Sequence, residues 1–101
     1  MATRTALVLA ALLRNSTGAG APTLAALPPL GLTTAQVNDA LLQLGQDGLA
    51  RTDGWTLNWA TGRDVRAWRL TDRGVVAAQA EAEAIRLLAD WDAEQDLLLG
   101  C

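Results

Sequence analysis

The sequence predicts an α+β chain, mostly helical, in which helices stand on both sides of one β-hairpin and the last helix is long. Three observations carry this. Val37, Leu41 and Leu44 recur at i, i+4 and i+7 between a threonine pair and a glycine, the pattern of a capped amphipathic helix. Residues 55–70 alternate large and polar side chains on either side of a Thr-Gly-Arg-Asp tip, as two half-buried strands do. From Val75 to Leu99 the chain is rich in Ala, Glu, Leu and Asp without an internal breaker, which predicts one helix of about 24 residues, about 36 Å long.

At 101 residues the chain is expected to form one domain with one core. A hydrophobic fraction of 50% excludes disorder, and the four tryptophans are the only aromatic residues, so the core must rest on Leu, Ala and Val. The net charge of −3 argues against a generic nucleic-acid binder, yet the charge is unevenly spread. Residues 1–74 hold seven Arg and five Asp, whereas residues 75–101 hold one Arg and six acids. All eight basic residues are Arg, which the codon bias of a GC-rich genome is enough to produce. The single cysteine, Cys101, excludes an internal disulfide and a Cys-based zinc site within one chain, and a reducing cytoplasm is the expected compartment.

Taken in order, Ala6 to Leu13 form a helix apolar on every face, which must be covered by its own domain or by a partner subunit. Arg4, this run and Ala19-Gly20-Ala21 also match a secretory signal superficially, although the run is short and closed by Arg14. It is too short to span a membrane, which needs about 20 apolar residues. Residues 15–20 read as a loop. Pro22 suits the first turn of a short helix over Thr23–Leu27, which Pro28-Pro29 must end. Leu30-Gly31-Leu32 turns into the organising helix, with Thr33 or Thr34 as N-cap and Gly48 as a left-handed stop over which Leu49 folds back. Leu49–Thr52 is a candidate strand, Asp53-Gly54 a turn dipeptide, and Trp55–Trp59 and Val65–Leu70 the arms of the hairpin. Thr71 is placed to cap the last helix, whose first turn gains from the charge of Asp72.

A short helix, a tight turn containing glycine and a longer helix make the helix-turn-helix signature. The stop at L-x-x-L-G-Q-D-G-L resembles the end of the recognition helix in a winged helix-turn-helix domain. W-R-L-T-D-R-G resembles the Y-x-L-T-x-x-G junction from wing to final helix in MarR- and PadR-type regulators. The resemblance covers residues 22–75. It implies a three-helix core with a β-hairpin wing over residues 1–74 and a C-terminal dimerisation helix over 75–101. It also implies that the helix from Thr34 to Gln46 enters the major groove of double-stranded DNA, with a homodimer meeting two half-sites.

On that reading Thr33, Thr34, Gln36, Asn38 and Gln43 are the candidate base-contacting residues, since Asn and Gln pair with adenine and Thr touches a thymine methyl. The helix departs from the pattern in carrying no Arg or Lys, and Asp39 repels phosphate. Arg51, Arg63, Arg66 and Arg69 on the hairpin are the candidate phosphate or minor-groove contacts. Trp55 and Trp59 share a strand face and are expected to form a ledge of the core under the hairpin. The dimer surface implied by the resemblance uses terminal helices, with Leu9, Leu12, Ala84, Leu87, Leu88, Trp91 and Leu98. Without His, internal Cys, a glycine-rich phosphate loop or G-x-S-x-G, no enzymatic activity and no cofactor are expected. The carboxylates of residues 81–96 scatter over a broad helix face and predict no metal. The net acidity and the Arg-free helix keep open a second reading, a winged-helix module that binds protein rather than DNA.

Overall fold

The helix without a polar face lies at the centre of the core. A computed structural model describes residues 3–15, 18–58 and 61–99, apart from the side chains of Asn58, Leu98 and Leu99. Within these, α1 (Arg4–Arg14), α2 (Ala21–Ala25), a 3₁₀ turn (Pro28–Leu30) and α3 (Thr34–Gln46) precede the hairpin of β1 (Ala50–Asn58) and β2 (Arg63–Leu70). Two further helices, α4 (Asp72–Gln79) and α5 (Ala82–Leu99), follow it. The Thr3 hydroxyl opens α1 by accepting from the Ala6 amide at 3.1 Å, and Asn15 closes it by donating to the Ala11 carbonyl at 2.8 Å. Between those caps α1 meets α3, α4, α5 and β2, which bury Ala6, Val8, Leu9, Ala10, Ala11 and Leu12.

The cover that α1 requires therefore comes from its own chain, and two expectations are corrected. Leu9 and Leu12, read as partner-facing, are 5% and 1% exposed inside one core. Ala84 and Leu88 of α5, at 0% and 3%, face α1 and not a second molecule.

The final helix is not continuous. Ala80 and Glu81 separate α4 from α5, the Glu81 amide donating to the Ala78 carbonyl at 3.0 Å while its own carbonyl accepts from Ile85. No glycine or proline causes this break. On an unbroken helix Ala78 and Ala84 would point about 120° apart, at about 100° per residue. Both are fully buried, and the break turns both toward α1. Tertiary burial overrides a run of strong helix formers.

Nor is Asp53-Gly54 a turn. β1 runs unbroken through it, pairing antiparallel with β2 from Ala50↔Leu70 to Asn58↔Arg63. Between Thr52↔Trp68 and Trp55↔Arg66 the register slips by one residue, and Gly54 adopts φ +76°. The dipeptide is a β-bulge with its glycine in the left-handed region. The loop before α2 joins the sheet: Ala19 and Trp68 exchange backbone hydrogen bonds of 3.0 and 2.8 Å.

Thr71 ties these parts together. Its amide donates to the Leu49 carbonyl at 3.0 Å, its hydroxyl donates to the Gly48 carbonyl at 2.7 Å, and the same hydroxyl accepts from the Gly74 amide at 3.1 Å. The residue that caps α4 thus also holds the chain leaving α3. Gly74 is buried against Leu49, and a Cβ there would overlap the Leu49 carbonyl. Gly74→Ala is expected to cost about 3 kcal/mol or more, because backbone must move to admit one methyl. Chemical denaturation measures it, and a loss below about 1 kcal/mol would mean that the junction yields freely.

A second tie joins the end of α1 to α5. The Arg14 guanidinium makes a bidentate pair with the Asp92 carboxylate at 2.8 and 2.6 Å and lies 5.5 Å from the centre of the Trp91 ring. The hydrogen bonds from Arg14, and then its charge, hold the Asp92 carboxyl below its ordinary range. A carboxyl whose pKa is depressed on folding stabilises the native state above its unfolded pKa of about 3.9, and this is lost as the pH falls through the folded value. Asp92→Asn should therefore flatten the acid limb of the stability–pH curve. Thermal unfolding between about pH 2 and 6 reads this directly, and superimposable curves for the two proteins would exclude it.

Candidate nucleic-acid interface

The helix α3 is framed by strong local signals. Thr33 is its N-cap: the hydroxyl accepts from the Gln36 amide at 3.2 Å, and the Gln36 Oε1 accepts from the Thr33 amide at 3.0 Å. At the other end Gly48 adopts φ +74°, the Leu49 amide reaches the Leu44 carbonyl at 2.9 Å, and the Gly48 amide reaches Gly45 at 3.2 Å. This is the left-handed stop expected there, closed by two nested hydrogen bonds. Val37, Ala40, Leu41 and Leu44 are buried.

The candidate reading residues of α3 do not share one face. Thr34 and Asn38 stand on the flank toward the hairpin. Gln36 and Gln43 lie about 140–180° round the helix from them, at about 100° per residue. Thr33 and Gln36 are engaged in the cap, and the Gln43 amide reaches the Asp47 carboxylate at 3.3 Å. Directly opposite the buried stripe stand Ala35, Asp39, Leu42 and Gln46, all exposed, Leu42 at 52%. Ala35 and Leu42 are not among the expected contacts because neither is polar; their place opposite the Val37–Leu41–Leu44 stripe is the sequence signal that marks them as outward.

The hairpin divides the arginines between two faces. Arg66 and Trp68 share a parity on β2 and face α3 across a cleft of about 650 Å³, lined also by Thr34, Asn38, Leu42 and Val65. Gly45 lets the Trp68 ring approach α3 to 3.3 Å of where a Cβ would stand, so Trp68 is the hairpin's anchor in the core. Arg51 and Arg69 pair across the strands on the opposite face, near Leu12 and Leu13. There Asp53 receives a 2.8 Å hydrogen bond from Arg69. That bond, and then the charges of Arg69 and Arg51, hold its carboxyl below the ordinary range. Arg63 stands exposed where β2 begins.

Trp55 corrects the expected ledge. It is 66% exposed and stacks under the Arg66 guanidinium, 5.4 Å from ring centre to Cζ. Trp59 lies outside the described residues, as does the Leu98 side chain. Of the remaining residues expected at a dimer surface, Leu87 is 43% exposed and Trp91 half-buried under Arg14.

A capped helix followed at once by a hairpin anchored to it, with two helices before and two after, defines a winged helix-turn-helix. Solved structures of MarR-family regulators share this arrangement. The zinc-responsive MarR family member ZitR of Lactococcus lactis superposes with a TM-score of 0.61 at 20% identity, over 95% of this chain and 62% of its own. The PcaV transcriptional regulator of Streptomyces coelicolor, solved with its natural ligand, gives 0.60 at 23% identity, over 99% and 70%. MepR of S. aureus gives 0.59 at 17%, over 99% and 65%. The chain thus has the winged-helix fold of MarR-family regulators and spans under two thirds of ZitR's length. No family model and no curated protein sequence matches it. Among the described residues no three His, Cys, Asp or Glu side chains gather as a metal site, and no helix is long and apolar enough to cross a membrane.

Proposed function

We propose that the chain is a transcription regulator that binds duplex DNA through this winged-helix domain, working in the cytoplasm as a homodimer. The observation that carries the reading is the joint presentation of α3 and the hairpin on one side of the fold of known transcription regulators, with Arg66 facing Thr34 and Asn38 across the cleft. In this arrangement α3 enters the major groove, and the strand bordering that groove runs between α3 and the hairpin. Thr34 and Asn38 contact that strand or the base edges beside it, and Arg66 and Arg63 contact phosphate. Affinity then comes mostly from the hairpin, since the outward face of α3 presents Asp39 and no cation.

Replacing Arg63 and Arg66 together by Ala should remove about two phosphate contacts from each copy. The slope of log affinity against log salt then falls by about 1.8 per copy, about 3.6 for the homodimer, and most retention on duplex DNA is lost. Fluorescence anisotropy with a labelled duplex at several salt concentrations measures this; an unchanged slope would remove the hairpin from the interface.

Leu42, 52% exposed beside Ala35, Val65 and Trp68 in the cleft lining, favours a second reading, a protein-binding module, because a contiguous apolar surface open to solvent is one that a partner can cover. Wild-type protein that ignores duplex DNA at low salt while its Leu42→Ala variant loses a co-purifying protein would select that reading.

Pairing of two copies is proposed through the outer side of α4 and α5, where Val76 and Leu87 are 68% and 43% exposed. Light scattering at tens of micromolar is expected to give twice the chain mass, and a monomer there would remove the homodimer.

A further inference from the structure

The hairpin holds its arginines by two different kinds of partner. Of its four arginines, Arg69 is held by Asp53 at 2.8 Å, and Arg51 stands directly across from that pair. Arg66 has a different kind of partner. It stacks on the exposed face of Trp55 while its side chain lines the cleft opposite Thr34 and Asn38. A ring face holds a guanidinium without occupying its N–H donors, so the group is oriented yet keeps its hydrogen-bonding capacity for an anion. A carboxylate partner, as at Arg69, uses those same donors.

The pairing is produced by the bulge. Thr52 opposes Trp68, and without the extra residue Gly54 would oppose Arg66, leaving the guanidinium no ring beneath it. Gly54 takes the left-handed conformation that admits the extra residue, and Trp55 moves into register with Arg66.

From this geometry we infer that Trp55 is a positioning residue, holding Arg66 across the α3–hairpin cleft in the orientation that meets a sugar–phosphate strand. The inference rests on the duplex-DNA reading for the identity of the anion, and on the Trp55–Arg66 stack alone for the positioning. Trp55 acts through Arg66 and is not required to touch the strand itself. Its exposure at 66% means that its removal leaves the core intact.

The test uses the full chain and a labelled mixed-sequence duplex of about 20–30 base pairs, with Trp55→Ala, Trp55→Phe, Arg66→Ala and the Trp55→Ala/Arg66→Ala double variant. Trp55→Ala is expected to weaken binding about three- to tenfold and to lower the salt slope by nearly as much as Arg66→Ala does, about 0.9 for each copy bound, although it deletes no charge. Trp55→Phe restores the slope, and the double variant is no weaker than Arg66→Ala alone. A weaker Trp55→Ala complex with an unchanged slope would overturn the proposal, because Trp55 would then act by its own contact. A second readout needs no DNA: ¹⁵N relaxation of the Arg66 Nε–H should show an ordered side chain that becomes mobile in Trp55→Ala. Arg66 as mobile as Arg63 in the unaltered protein would overturn the positioning whatever the DNA result. Order at Arg66 lost in Trp55→Ala, in a protein that binds no duplex, would uphold the positioning and remove the DNA reading.

Discussion

Three hydrogen bonds at Thr71 set where the hairpin stands. A two-stranded hairpin is at best marginally stable alone and has no intrinsic direction relative to a helix that precedes it. Here the chain leaves α3 through Gly48 and Leu49, and both carbonyls are held by the residue that begins α4. The hairpin is therefore clamped at its base, its first and last residues forced together by a contact that also caps a helix. Gly74 makes the approach possible, because a side chain there would occupy the position of the Leu49 carbonyl. The two glycines of this junction answer different needs, a left-handed turn at Gly48 and bare space at Gly74.

The clamp fixes the base, and Trp68 fixes the face. Its backbone pairs with Thr52 on one side and Ala19 on the other, and its ring lies on Gly45 of α3. One residue thus joins the hairpin, the loop before α2 and the helix that the hairpin flanks. Since β-strand side chains alternate, anchoring Trp68 toward α3 sends Arg66 the same way and Arg69 the other. The division of the arginines into a cleft-facing group and an Asp53-bound group is a consequence of where a tryptophan had to be buried.

Much of this was legible in the sequence, and the rest fails for identifiable reasons. The N-cap of α3, at the first of the two threonines, its glycine stop and the Thr71 cap are local events decided within a few residues and stand where they were read; the second helix is opened by Pro22 as expected but spans Ala21–Ala25, two residues earlier than Thr23–Leu27. Asp53-Gly54 misled because a left-handed glycine serves a bulge as well as a turn; only the pairing of β1 with β2 distinguishes them. The break at Ala80 is invisible locally, since it exists to bring Ala78 and Ala84 onto α1. Leu9, Leu12, Ala84 and Leu88 have the same composition whether they face a partner or their own core. Periodicity reports that a face is buried, never by what. Trp55 was assigned to the core because large apolar residues usually are, and its stack on Arg66 depends on a register that the bulge sets.

The burial of α1 also bears on how two copies could meet. With its apolar surface consumed inside one chain, a second copy has the outer side of α4 and α5 to work with, and there the exposed Glu83, Asp90 and Glu94 flank Leu87. Two such helices side by side repel through water, with a range of about 8–10 Å at ordinary ionic strength. Added salt screens that repulsion and favours burial of Val76 and Leu87, while the same salt weakens any contact between Arg66 and phosphate. The proposed pairing and the proposed DNA contact thus respond to ionic strength in opposite senses. Seven of the eight arginines lie in residues 1–74 and six of the eleven acids in residues 75–101, so the net charge of −3 describes neither surface.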